Sequence, residues 1–167
     1  VAISATTRPP RKNEIDAKDY YFLSDEQFNN YVKEDKFVEY CQVHQYRYGT
    51  LKDELVRITK QNKIVLLEID TKGAEKIKNC IQTALFVFIA APDLTILKNR
   101  LLERNTETLE QIEKRLTTAK QELKKIEHYD YVIINDIIKN AYLELTKIIK
   151  KSFIAWGQHN EQGTTTT

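Results

Sequence analysis

The chain is poor in the residues that punctuate or cross-link a fold: its 167 residues include four glycines, three prolines, two cysteines and no methionine. Cys41 and Cys80, with no second pair and no metal-type spacing, exclude a disulfide framework and a zinc module. They read as reduced thiols of a cytoplasmic protein. No apolar stretch exceeds strand length, ALFVFIAA at 84–91 included, which leaves neither a membrane-spanning helix nor a secretory leader legible. A net charge of +2, from 26 basic and 24 acidic residues, excludes a protein whose main task is neutralising nucleic-acid backbones. The glycines, at 49, 73, 157 and 163, cannot build a phosphate loop of the form G-x-x-x-x-G-K-[ST]. Val1 opens what reads as a core strand, so we expect a missing N-terminal piece ahead of it.

What is present alternates between strand and helix. IVLLEI (64–69), LFVFIAA (85–91) and YVIIN (131–135) are continuous apolar runs, and VAIS at the start reads as a fourth. Helices follow them, at TKGAEKIKNC, at about 93–103, at 106–127 and at about 137–153. The last carries a stripe of Ile138, Ala141, Leu145, Ile148 and Ile149. Unbroken apolar strands separated by helices indicate an α/β fold, a parallel sheet covered on both faces. Residues 12–50 break the rhythm with six of the nine tyrosines and short mixed strands. Their one helix starts at Ser24, with Gln27 completing a capping box. This stretch reads as a small mixed α/β insertion, after which Thr50 caps a helix to about Gln61. One domain over 1–157 and a disordered polar tail over 158–167 are expected.

Four constellations can carry chemistry. In TTRPPR, Pro9 and Pro10 stiffen the turn between Arg8 and Arg11, so two guanidinium forks can grip one phosphate. A solvated basic loop is the bland alternative. Tyr20 and Tyr48 can donate to phosphate oxygens or simply pack a small core. Glu39 lies in an apolar strand, KFVEY, where a carboxylate is costly unless a donor meets it. A base offering two N–H groups, such as guanine, is one such donor, and a lysine or arginine is another. Glu68 and Asp70 end the strand VLLEID on one face, at the strand end where open α/β sheets hold ligands and phosphate-transfer sites hold Mg²⁺ or its waters. Asp70 could equally cap the next helix. Arg100, Arg104 and Arg115 stand on adjacent helices, as a closing lid over polyphosphate requires, although each alone reads as a solvated charge.

Taken together, SATTRPPR, DYYFLS, KFVEY, YRYGT, VLLEID, the lid arginines and VIIND resemble the guanylate kinase family in order and spacing, from Ile3 to about Ile149. The resemblance implies a P-loop-kinase-like parallel sheet flanked by helices, with core residues 1–4, 51–92 and 128–155. It implies a GMP-binding region at 5–50 and a helical lid at about 93–127. Arg8, Arg11, Tyr20 and Tyr48 would hold the GMP phosphate. Ser4, Glu39, Thr50 and Asp70 would surround the guanine, with Glu39 reading its N1–H and amino edge. Arg100, Arg104 and Arg115 would close on the ATP phosphates, Asn135 and Asp136 would lie near the adenine, and Glu68 would meet Mg²⁺ through water. GMP and ATP are the implied partners, with neither nucleic acid nor membrane. The family's P-loop has no counterpart here and is expected directly before Val1, so the implied activity of these 167 residues is GMP binding with little transfer. Ala17, Lys72 and Asn105 depart from the family's usual glycine, glutamine and glycine. The alternative function is a non-catalytic guanylate-kinase-like module that binds a phosphorylated peptide. Such modules typically lose parts of the base pocket and lid, whereas all of those residues stand here.

Overall fold

The computed structural model describes residues 1–104 and 108–162, with side chains as far as Phe153. The chain divides into two compact units, Val1–Ala84 and Leu85–Thr167. In the first, β1 (Ser4–Thr6) runs parallel to β2 (Tyr21–Phe22) and antiparallel to β4 (Tyr46–Leu51). β4 also pairs antiparallel with β3 (Phe37–Val43), giving the order β2-β1-β4-β3. VAIS therefore enters a mixed sheet from Ser4 onward and not the parallel one expected of it. Residues 64–69, expected as a buried strand, carry no ladder; Ala2 N donates to Leu66 O at 2.9 Å, and Ile64 and Leu66 are exposed. An apolar run supplies a preference for burial, but a strand also needs neighbouring backbone to satisfy its N–H and C=O groups.

Helix α1 (Asp25–Lys33) begins at the expected capping box, with Ser24 and Gln27 bonding each other's backbone N–H. It drives Phe28, fully buried, against Ala5 and Phe37, the two rings stacked 4.6 Å apart. Burying one such ring contributes about 2–3 kcal/mol. Gly49 allows this closeness, since a Cβ there would lie 2.7 Å from Phe37 Cδ1 and 2.9 Å from Glu39 O. Helix α2 (Lys52–Thr59) corrects one expectation: its N-cap is Leu51, without a side-chain bond, because the Thr50 hydroxyl is spent on Glu39. Helix α3 (Thr71–Cys80) is capped by Asp70, whose carboxylate accepts from Gly73 N at 2.8 Å.

The carboxylate of Glu54 on α2 is 3% exposed and ties the sheet to the chain's start. It accepts from Ile3 N (2.9 Å), the Tyr21 hydroxyl (2.8 Å) and both Nε and Nη2 of Arg57 (2.8 and 2.7 Å). The Arg57 bonds, with Ile3 N and Tyr21 behind them, pull its pKa down to about 2 against the opposing effect of burial. A depressed carboxylate stabilises the fold above its unfolded pKa, and that contribution fades as pH falls through the folded value. Glu54→Gln is therefore expected to cost about 2 kcal/mol at pH 7 after screening at the half-exposed arginine. In urea titrations the gap between parent and variant should shrink steadily from about pH 5 downward. A gap that is constant with pH would count against the ionic account.

In the second unit, β5 (Val87–Ala90) pairs parallel with β6 (Tyr131–Ile134). Helix α4 (Leu94–Glu103) starts at Asp93 and helix α5 (Leu109–Leu123) at a capping box of Thr108 and Gln111. Leu101, Ile112 and Leu116 bury between these two helices. α5 is shorter than expected: Ile126 lies in a separate 3₁₀ turn, Ile126–His128, and residues 105–107 fall outside the described residues. Helix α6 (Ile138–Gln162) runs past the expected end at Phe153 and into the stretch expected as a disordered tail, of which 163–167 fall outside the described residues. It lays Ala141 and Ile148 on Ile133, while Ile138 in its first turn is 78% exposed and leaves the expected stripe. Ile89 and Ile134 are also exposed, on opposite faces of the pair, beside buried Ile133 and Ala90 in the register, so covering of these strands is partial on each face.

Candidate functional site

The turn after β1 gathers the basic and aromatic residues. Thr6 Oγ1 donates to Arg47 O (3.0 Å) and accepts from Arg8 N (3.1 Å), which turns Arg8 inward as the strand ends. Arg8 is 8% exposed. Its Nη1 donates to Pro9 O and its Nη2 to Glu14 Oε1, both at 2.8 Å. Its Cζ lies 5.2 Å above the Tyr20 ring and 5.9 Å above that of Phe22, a stack that guanidinium favours. Tyr20 and Tyr48 meet edge to face at 6.2 Å. The bond to Glu14 raises the Arg8 pKa first, and the Tyr48 phenol adds to it. Arg11 donates its backbone N–H to Glu14 Oε2 at 2.7 Å and keeps its side chain 61% exposed, Nη1 3.7 Å from the same carboxylate. The four residues predicted for a phosphate thus converge, around a carboxylate that sequence reasoning did not single out. Glu14 is held below the usual carboxylate range by Arg8 and by Arg11 N–H.

The second group sits at the other end of the same sheet. The ladder of β3 on β4 slips between Phe37 and Glu39, so Phe37 pairs with Leu51 but Glu39 with Thr50. Such a bulge re-aims a side chain. Here it delivers Glu39, 4% exposed, to the Thr50 hydroxyl, which donates to Oε1 at 2.8 Å. Ser4 faces Thr50 across the β1–β4 ladder. Burial pushes the Glu39 carboxyl up, opposed by the Thr50 bond and reinforced by the charge of Asp70. Asp70 itself accepts from the Cys41 thiol at 3.1 Å. Lys76 donates to Tyr40 O and lies over the Tyr40 ring, 4.5 Å from its centroid. Ser4, Glu39, Thr50 and Asp70 are therefore joined by strand pairing, hydrogen bonds and field, and an inward carboxylate with a hydroxyl beside it suits a ligand edge rich in N–H donors.

An open cavity near Val1 is lined by Ser4, Tyr20 and Glu68, with Lys18 as a cation the sequence reading passed over. Glu68 and Asp70, expected in one crevice, diverge: Glu68 faces this cavity, while Asp70 turns to Cys41. Among the described residues no group of three or more His, Cys, Asp or Glu side chains could cage a metal. Glu68, exposed and sharing this cavity with Asp19, still fits an ion that keeps most of its waters. In the second unit Arg100 donates to Asn135 O (2.6 Å) and Asp136 O (2.9 Å), joining the first predicted lid arginine to the predicted adenine loop. Arg104 is the exposed C-cap of α4, and Arg115 is half-buried on α5.

The guanylate kinase family model matches residues 1–152. The chain belongs to that family. It is 40% identical over 149 residues to the guanylate kinase of Clostridioides difficile, covering 89% of this chain and 73% of that one. The guanylate kinase of Protochlamydia amoebophila is 44% identical over 149 residues, covering 89% and 75%. The crystal structure of guanylate kinase from Anaplasma phagocytophilum superposes with a TM-score of 0.77 at 29% identity, covering 90% of this chain and 73% of that one.

Against the guanylate kinase pattern, one departure has a visible cost. Ala17, where the family tends to glycine, adopts φ 58°, a left-handed conformation unfavourable for a residue with a Cβ. The turn holds because Ala17 N donates to Tyr20 O at 2.8 Å, which also aims Tyr20 at Arg8. Asn105 lies outside the described residues. Glu14 had a local signal after all, a carboxylate three residues past an arginine on a proline-stiffened turn.

Proposed function

We propose that this guanylate kinase domain transfers the ATP γ-phosphate to GMP, giving GDP and ADP. The observation that carries the reading is the pairing, on one sheet, of a buried carboxylate–hydroxyl couple, Glu39 with Thr50, and a stacked arginine, Arg8, among Arg11, Tyr20 and Tyr48. Guanine offers its N1–H and 2-amino group to Glu39, with Ser4, Thr50 and Asp70 around it; adenine offers no donor at N1 and leaves the buried carboxylate unpaired. The two arginines and two tyrosines hold the α-phosphate as acceptor. Arg100, Arg104 and Arg115 meet ATP phosphates and neutralise charge during transfer, and Asn135 and Asp136 border the adenine. Mg²⁺ bound with ATP supplies further neutralisation of the phosphate oxygens, with Glu68 as its water-mediated holder. Protein chemistry here is positioning and electrostatics, with no covalent intermediate. On this reading residues 5–50 form the GMP region, about 93–127 the lid, and 1–4, 51–92 and 128–155 the core of one cytoplasmic domain over 1–157.

The 167 residues include no G-x-x-x-x-G-K-[ST] sequence, so this polypeptide has no such backbone cradle for the β- and γ-phosphates. It is expected to bind GMP with slow transfer. Calorimetric titration should show GMP bound at least about 10-fold more tightly than AMP, the equivalent of one well-made donor pair. Equal affinity for the two would overturn the base-pocket assignment. Brisk GDP formation from ATP would overturn the expectation of slow transfer.

A further inference from the structure

We infer that Cys41 is a positioning residue for base selection: its thiol fixes the Asp70 carboxylate in the orientation that meets the 2-amino group of guanine. The inference rests on the placing of Asp70 beside guanine given above, and adds that Asp70 takes the second N–H of the 2-amino group whose first meets Glu39. Cys41 stands two residues beyond Glu39 on β3, and alternation along a strand sends both side chains to the same face. Its Sγ donates to Asp70 Oδ1 at 3.1 Å, and Gly73 N donates to that same oxygen at 2.8 Å. The donors come from different elements, a sheet strand and the first turn of α3. One donor would leave the carboxylate free to swing about it, whereas two converging on Oδ1 fix its plane and present Oδ2 to a ligand. The close packing around the start of α3 points the same way. A Cβ on Gly73 would stand 2.9 Å from Glu39 Oε2 and 3.3 Å from Asp70 Oδ1, so both carboxylates crowd one helix start. The charge of Asp70 already works against ionised Glu39, and a proton donor on Asp70 tempers that conflict. Burial first, and then Asp70, push the Cys41 thiol up to about 12, so it stays a donor throughout the neutral range.

Substitutions at Cys41, Cys80 and Asp70 of the 167-residue chain and three nucleotides, GMP, IMP and AMP, test this. Cys41→Ala should raise the Kd for GMP about fivefold, the effect of one modest hydrogen bond, and leave that for IMP within about twofold, because hypoxanthine lacks the amino group. Cys41→Ser, which keeps a donor, should return GMP binding to within about twofold of the parent. Equal losses for GMP and IMP, or no rescue by serine, would reduce Cys41 to packing and overturn the role. Infrared spectroscopy in a Cys80→Ser background gives a readout independent of nucleotide. The S–H stretch of Cys41 should lie below that of a solvated thiol and shift upward in Asp70→Ala. An unshifted band removes the thiol–carboxylate bond and the proposal with it, whatever the nucleotide data. A shifted band in a chain that binds GMP no better than AMP places the failure in the guanine reading, and the positioning role falls with that reading.

Discussion

Glu39→Gln is expected to weaken GMP binding about 100-fold while making the empty protein more stable. The binding loss follows from chemistry at one edge. Glutamine keeps a carbonyl oxygen for one N–H but turns an NH₂ toward the other, so a charge-assisted pair becomes a donor–donor conflict costing about 3 kcal/mol. The stability gain follows from burial. Glu39 is 4% exposed, and desolvation raises its pKa above the unfolded value. A raised carboxylate is best tolerated below its unfolded pKa, and stability is lost as pH climbs through the folded one. The parent therefore carries at neutral pH a penalty that the neutral amide escapes. Thermal melts should place the variant above the parent at pH 8, with the gap closing toward pH 4; saturating GMP should reverse the order by stabilising the parent more than the variant. A variant less stable than the parent at pH 8 would show that Glu39 is held for the fold and not for a ligand.

The second large effect is expected at Arg8. Arg8→Met keeps an apolar stem beneath Tyr20 and Phe22 but removes the fork that meets Glu14. GMP affinity should fall at least about 100-fold, in the range found when one partner of a buried charge pair is truncated. Guanosine, which has no phosphate, should bind within about twofold of its parent affinity. Arg8→Lys should recover only part of the loss, since an ammonium can neither stack nor donate through two nitrogens in one plane. A matching fall for guanosine would mean that Arg8 shapes the whole sheet end and does not serve the phosphate.

How far these roles were legible depended on how local their causes are. The phosphate group was readable because TTRPPR confines Arg8 and Arg11 to a few bonds of stiffened chain, and Tyr20, just before β2, and Tyr48, on β4, reach them from either side of β1. The inward aim of Glu39 was suspected from its apolar neighbours, but the bulge that sets it opposite Thr50 has no mark in the letters. Thr50 looked like a helix cap because a hydroxyl before an amphipathic stretch usually is one; only the cross-strand partner shows it engaged elsewhere. IVLLEI misled for the opposite reason, since hydrophobicity reports what a segment would bury and not whether a neighbouring strand is there to pair with it. Cys41 reads from sequence only as a reduced thiol, because its carboxylate partner lies far away along the chain.

Glu14 has a bearing on which anions the Arg8 turn accepts. Its carboxylate is tethered to the arginines it neutralises and so competes at a high local concentration with anything arriving from solution. Chloride, bicarbonate or a free phosphate must displace that competitor with contacts at this turn alone. A nucleotide already anchored through its base meets the same competitor with a tether of its own. The turn is thereby a poor trap for loose ions and a selective one for a phosphate that comes attached to something else.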